Sequence, residues 1–241
     1  MKIYCINLER SVQRRQYMQS QFERLSLPFE FINAIDGRKL TDNDIVSVYN
    51  KWRTRFCHGR GLTRGEIGCA LSHIEFYRRV MTDNVPGFVF EDDVELSLTT
   101  KRALDEVSMF LIDKKEPCIV QLPGLERDLP QSKNNSSDES FVKVYSAMGA
   151  YAYGVNPDAA KLLIKAFTPI KFPLDYYRYL IKYYRVSFYV YRKKTISVDM
   201  VSESTIGIDR FSVYKGIGLI FYKLWRLIGK TVDGIIRIMD A

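Results

Sequence analysis

Phe88-Val89-Phe90-Glu91-Asp92-Asp93 is the stretch that decides how the rest of the chain is read. Its first half is a short β-branched and aromatic run opened by Pro86-Gly87, the pattern of a buried strand. Its second half sets three carboxylates in succession, which repel one another unless positive charge sits among them. A hard divalent cation held by oxygen ligands and shared with a substrate phosphate meets that need. A solvated acidic turn is the alternative, and the flanking sequence chooses between them.

Working outward, apolar runs and helical patterns alternate. A strand about Ile3–Asn7 leads into a polar helix near Ser11–Leu25, and Phe29–Ala34 reads as a second strand closed by the Asp36-Gly37 turn. A short helix near Asp42–Val48 is followed by a basic loop from Lys51 to Arg64. Thr63, with Glu66 three residues on, forms a capping-box signature for a helix running to about Met81. Beyond the acidic cluster come a helix near Leu98–Asp113, a strand near Cys118–Leu122 and a polar loop at 124–140. Strands at Phe141–Ala147 and Tyr151–Val155, and a helix from Pro157 to about Phe167, follow. Asp175–Tyr183 reads as helical, and Val186–Tyr191 and Thr195–Val198 as short strands. This alternation predicts an α/β fold, a mostly parallel central sheet with helices on its faces.

The chain has 241 residues, enough for one sizeable core or one domain with an appendage. Its net charge of +8 points to a polyanionic neighbour. Much of that charge falls in the carboxyl-terminal stretch. There Lys215, Lys223, Arg226, Lys230 and Arg237 share one narrow sector of a helix, opposite Ile220, Phe221, Leu224, Trp225, Ile228 and Ile236. Gly216, Gly218, Gly229 and Gly234 weaken such a helix in water, so it forms best where something apolar receives its face. Docking on its own domain and lying in an anionic membrane surface are the two readings; a basic face beside Trp225 favours the membrane. Basic and aromatic residues are not interleaved elsewhere, so no nucleic-acid partner is expected.

The chain opens directly on a strand pattern, without a charged leader and apolar h-region, and no stretch reaches the ~20 apolar residues of a membrane span. The expectation is a cytoplasmic body, peripheral on the cytoplasmic face of the inner membrane. Cys5 and Cys118 lie in apolar runs and read as reduced core residues. Zinc would need His58 or His73 beside the cysteines, at spacings that match no common site.

Several short motifs occur in order: Ile6-Asn7-Leu8-Glu9-Arg10 with Arg14-Arg15; Ala34-Ile35-Asp36-Gly37; Leu62-Thr63-Arg64-Gly65-Glu66-Ile67-Gly68-Cys69-Ala70-Leu71-Ser72-His73; and Phe90-Glu91-Asp92-Asp93-Val94. Ala150-Tyr151-Ala152-Tyr153, Ala159-Ala160-Lys161-Leu162-Leu163, Pro173-Leu174-Asp175 and Ser204-Thr205-Ile206 continue the series. Together they resemble glycosyltransferase family 25, the bacterial lipooligosaccharide galactosyl- and glucosyltransferases related to procollagen galactosyltransferases. The likeness covers roughly residues 1–207 and leaves out the tail.

The resemblance implies a GT-A type nucleotide-sugar-binding domain over 1–210, followed by the amphipathic tail at 211–241. It implies a UDP-hexose donor, a lipid-linked oligosaccharide acceptor of lipooligosaccharide or lipopolysaccharide, and inversion to a β-linkage. The acidic motif begins with Glu91 rather than Asp; Asp93 is the expected ligand of Mn²⁺ or Mg²⁺, and Glu91 a second ligand or a ribose contact. Asn7, Arg10, Arg14, Asp36, Arg64, Glu66, His73 and Asp92 are the expected donor-binding residues. Side-chain chemistry keeps alternatives open: Glu66 as a capping residue, Arg10 and Arg14 as a solvated helix face, and His73 as a core residue. Inversion needs a general base. Asp175 in its apolar, aromatic setting is the first candidate, with helix N-capping as its other role, and Glu203 is the reserve. Tyr176 and Tyr177 offer sugar-stacking faces for the acceptor, or simply pack. A non-catalytic, membrane-associated nucleotide- or carbohydrate-binding protein of the same fold is the competing function, and such a module needs no base.

Overall fold

The computed structural model describes residues 1–58, 60–125 and 140–198. Most of the polar loop, Glu203, the Ser204-Thr205-Ile206 motif, the boundary near 210 and the tail lie outside the described residues.

Nine strands and seven helices are described: β1 (Lys2–Asn7), α1 (Val12–Arg24), β2 (Glu30–Asn33), α2 (Asp42–Val48), α3 (Lys51–His58), α4 (Arg64–Asp83), β3 (Gly87–Glu91), β4 (Val94–Leu96), α5 (Thr100–Asp113), β5 (Cys118–Gln121), β6 (Phe141–Lys143), β7 (Ala152–Val155), α6 (Pro157–Phe167), α7 (Tyr177–Tyr184), β8 (Ser187–Tyr191) and β9 (Ile196–Val198). The main sheet runs β2-β1-β3-β7-β5-β8-β6. β1 is parallel to both β2 and β3, and β5 is parallel to β8. β7 runs antiparallel between β3 and β5, and β6 is an antiparallel edge. Five of the seven strands therefore point one way, as the β-α alternation predicts.

Alternation along β3 shows why the sheet sits at the centre. Phe88 and Phe90 point into one core with Met18 and Phe22 of α1 and Leu104 and Val107 of α5. Val89 points into the other, with Ile74 and Tyr77 of α4 and Leu163 of α6. Both faces of β3 are covered, which is why it reads as a continuous apolar run.

α4 is the longest helix and the one that shapes the site. Thr63 Oγ1 accepts from the Glu66 backbone N–H at 3.1 Å, and the Glu66 carboxylate accepts from the Thr63 N–H at 2.9 Å, completing the predicted capping box. The Ala34–Gly37 loop presses directly onto this helix. A Cβ on Gly68 would meet the Ile35 carbonyl oxygen at 2.5 Å, and one on Gly37 would overlap the Arg64 carbonyl. Two glycines thus allow the backbone contact that carries Asp36 to the start of α4.

Some expectations differ. The basic segment after Lys51 begins as helix α3, because Asn50 Oδ1 accepts from the Arg53 N–H at 2.9 Å and supplies the missing cap. The strand expected over Phe141–Ala147 ends at Lys143, and only the Val144 N–H reaches β8 beyond it, donating to the Phe188 carbonyl at 2.9 Å. Helix α7 starts at Tyr177, so Asp175 precedes it and Tyr176 holds the N-cap position. Three-residue β4, paired with β9 in a separate antiparallel ribbon, has too short a pattern to be read in advance. Among the described residues no helix is long and apolar enough to cross a membrane.

Candidate active site

A cleft of about 460 Å³ opens at the carboxyl ends of β1 and β3, the edge where ligands of open α/β sheets bind. Three segments line it: Leu8, Arg10, Ser11 and Arg14 after β1; Ala34–Arg38 after β2; and Glu91, Asp92 and Asp93 after β3. Thr63, Arg64, Gly65, Cys69, Ser72 and His73 of the α4 region close the fourth side.

Within the acidic cluster the three carboxylates are not equivalent. Asp92 is neutralised by the protein: Asn7 Nδ2 donates to it at 2.6 Å and Arg14 Nη1 at 3.0 Å. Asp93 has no such partner on its inner oxygen, Oδ1, which is buried without a hydrogen bond. Burial first, then the charges of Glu91 and Asp92, push its carboxyl up to about 7. Asn7, itself buried, likewise leaves Oδ1 without a donor. An orphaned carboxylate oxygen beside two further carboxylates has the chemistry of a hard, oxygen-seeking divalent cation's ligand set, and Asp93 and Glu91 are the residues that could hold one.

Glu91 also faces α4. His73 Nε2 lies 3.4 Å from Glu91 Oε1, and Cys69 Sγ lies 3.9 Å from the same oxygen. His73 is buried, and its Nδ1 is 2.7 Å from the Tyr153 hydroxyl, which in turn bonds Tyr77 at 2.7 Å. Opposite, Arg10 pairs with Asp36, which also accepts from the Arg38 backbone N–H at 3.2 Å. Arg64 lines the cleft while pairing with Asp42 and donating to the Leu40 carbonyl. The mouth therefore carries four guanidinium groups, from Arg10, Arg14, Arg38 and Arg64, around an acidic floor.

Arg10, Arg14, Asp36, Arg64, His73, Glu91, Asp92 and Asp93 are thus brought together, with Asn7 directly beneath. Glu66 is not: both its oxygens are taken by Arg60, at 2.6 and 2.8 Å, and by the cap, so the capping alternative describes it. Arg15 lies over the Phe31 ring, 3.9 Å from its centre, and does not line the cleft. Tyr177 is a correction. It is 2% exposed and packs on Phe188, with its hydroxyl donating to the Gly149 carbonyl at 3.2 Å, so its ring is core and unavailable to a sugar. Tyr176 is half-buried beside His58 and Tyr179. Asp175 is half-buried before α7 and is not among the cleft-lining residues. Sequence reading missed Arg38, Ser11 and Cys69. Arg38 was legible as the residue next to the Asp36-Gly37 turn, whereas Cys69 carries no local signal at all.

Comparison with known proteins gives matches in this same region. The model of glycosyltransferase family 25, described as a lipopolysaccharide biosynthesis protein family, matches residues 1–178. A glycosyltransferase 25 family member of Aedes aegypti is 38% identical over 109 residues, 44% of this chain and 18% of that one. Procollagen galactosyltransferase 1-B of Xenopus laevis is 31% identical over 43% of this chain and 18% of its own length. The lipooligosaccharide biosynthesis protein lic2B of Haemophilus influenzae is 32% identical over 43% of this chain and 37% of its own. The chain therefore matches well under half the length of each of these relatives.

Proposed function

The chain belongs to glycosyltransferase family 25, and we propose that it transfers a hexose, galactose first among the candidates, from a UDP-sugar to a lipooligosaccharide or lipopolysaccharide acceptor with inversion to a β-linkage. The observation that carries this reading is Asp93: a buried, orphaned oxygen in a carboxylate cluster facing a cleft rimmed with arginine. Galactose is favoured by the name of the procollagen galactosyltransferase relative, and the acceptor class by that of the Haemophilus protein.

In this reading the rim and the floor have separate tasks. Arg10, Arg14 and Arg64 attract and orient the diphosphate, to which guanidinium groups make bidentate contacts. Asn7 and Arg14 fix the Asp92 carboxylate in place, so that it is held next to Asp93 rather than swinging into solvent. Asp93 and Glu91 hold Mn²⁺ or Mg²⁺, which when bound supplies positive charge against the departing diphosphate. His73, locked by Tyr153, limits where the Glu91 carboxylate can lie. Asp175 takes the acceptor hydroxyl proton, with Glu203 as the reserve, and Tyr176 offers the acceptor a partly open aromatic face.

UDP release from a panel of UDP-sugars, with Mn²⁺ and with EDTA, tests the reading on the full chain and on Asp93→Asn. Metal-dependent release from one sugar, lost in the variant, is the expected result. Undiminished turnover in a folded Asp93→Asn protein would remove the metal role, and the absence of both release and nucleotide binding would remove the transferase reading. The carboxyl-terminal residues 211–241 are proposed to hold the enzyme on anionic lipid at the cytoplasmic face of the inner membrane. Truncation after Phe211 should then abolish binding to anionic vesicles and leave transfer to a water-soluble acceptor intact; a truncated protein that still binds the vesicles would overturn this.

A further inference from the structure

Three side chains beside the acidic cluster form a second donor set of different chemistry. Cys69 and His73 are four residues apart on α4, one turn above the other, and Glu91 ends the neighbouring strand β3. Cys69 Sγ, a His73 ring nitrogen and a Glu91 oxygen all lie within 4.8 Å of one another. The individual separations are 3.4 Å from His73 Nε2 to Glu91 Oε1 and 3.9 Å from Cys69 Sγ to that oxygen.

Those lengths are long for hydrogen bonds but short for unrelated groups. Tetrahedral zinc, with bonds of about 2.3 Å to sulfur and about 2.0–2.1 Å to nitrogen and oxygen, holds an N–O ligand pair roughly 3.3 Å apart and an S–O pair roughly 3.5 Å apart. The N–O and S–O separations here, 3.4 and 3.9 Å, are close to that spacing. We propose that Cys69, His73 and Glu91 form a zinc site on the floor of the cleft, Glu91 contributing Oε1 and being shared with the cation proposed at Asp93, with the fourth position open to the cleft for water or a ligand oxygen.

Two features support a site rather than a chance cluster. First, His73 is already oriented as a ligand. The Tyr153 hydroxyl, 2.7 Å from Nδ1 and braced by Tyr77, can accept a hydrogen bond from Nδ1–H, the tautomer that turns the Nε2 lone pair toward Glu91. An outer partner of this kind is what fixes the tautomer of metal-bound histidines. Second, the donor types discriminate. A thiolate with an imidazole favours zinc, whereas the all-oxygen environment of Asp93 favours manganese or magnesium. Cys5 and Cys118, by contrast, are buried in the apolar core with no histidine near them among the described contacts. The assignment stands on this geometry alone and does not rest on the transferase reading.

The test uses the untagged, metal-free full chain, titrated with Zn²⁺ against a chromophoric chelator and with Co²⁺ as a spectroscopic probe. The expected result is one zinc bound at this site and a thiolate-to-cobalt charge-transfer band. Cys69→Ser should remove the band, and both Cys69→Ser and Glu91→Gln should weaken zinc binding by more than about 10-fold, the loss that even an outer-shell change can cause. Glu91→Gln should keep the band, since the thiolate remains. Thermal unfolding of each metal-free variant identifies any that fails to fold; Cys69→Ala takes the place of Cys69→Ser if that variant does not fold, because Glu91→Gln alone also disturbs the cation proposed at Asp93. No zinc binding by the parent chain, a band that survives Cys69→Ser, or unchanged zinc affinity in the folded variants would overturn the proposal.

Discussion

Glu66 and Asp93 are both carboxylates held partly or wholly out of water near the same helix, and the protein treats them in opposite ways. Glu66 receives two hydrogen bonds from the buried Arg60 guanidinium and one from the Thr63 backbone, so its charge is fully matched. Asp93 is surrounded by Glu91 and Asp92, and its inner oxygen meets no donor. A matched buried carboxylate is architecture. An unmatched one stores electrostatic free energy that an incoming cation can release, which is why the second belongs to the site and the first does not.

Breaking the matched pair should give the largest effect. Glu66→Ala takes the Glu66 carboxylate away from the buried Arg60 and removes the carboxylate half of the α4 capping box, so a loss of about 3–5 kcal/mol in chemical denaturation is expected. A loss below about 1 kcal/mol would mean that solvent reaches the pair freely, and the contrast with Asp93 would fail.

Next in size is the catalytic effect of Asp93→Asn. On the proposed reading Asp93 holds the cation that stabilises the departing diphosphate, so its loss should slow UDP release on the order of 10²-fold or more. The same change at Asp92, already neutralised by Asn7 and Arg14, should cost less, which sharpens the distinction within the cluster.

The last effect has the opposite sign. Because the folded protein raises Asp93 to about 7, it binds a proton there that the unfolded chain has already lost, and stability falls as pH climbs from about 4 to 7. In EDTA, Asp93→Asn should therefore be more stable than the parent above pH 7, by up to about 4 kcal/mol, with little difference near pH 4. Thermal unfolding across that range checks it, and a difference that does not grow with pH would show that Asp93 is not strained. A substitution that stabilises the fold while disabling turnover is the signature expected of a functional group kept at a cost in stability.

How much of this was legible in advance varies with the range of the interaction. The capping box at Thr63 and Glu66, the proline-started helix α6 and the buried strand β3 were readable because each depends on residues within a turn or a pleat of one another. Helix α3 was not, because its basic composition hid the Asn50 cap. Tyr177 looked available in sequence, since a tyrosine-rich helix gives no hint of which ring turns inward; packing on Phe188 decides that.

By itself, the sequence determined the order of the longer elements, the acidic end of β3 and the family, since these are written in local patterns and short motifs. Tertiary structure alone decided which acidic groups are satisfied. Asp92 meets Asn7 and Arg14 across 85 and 78 residues, and Glu91 meets His73 and Cys69 from a different element. The register of β3 against β1 and the close seating of α4 bring these groups together, and charge interactions of that kind depend on distance in space rather than along the chain.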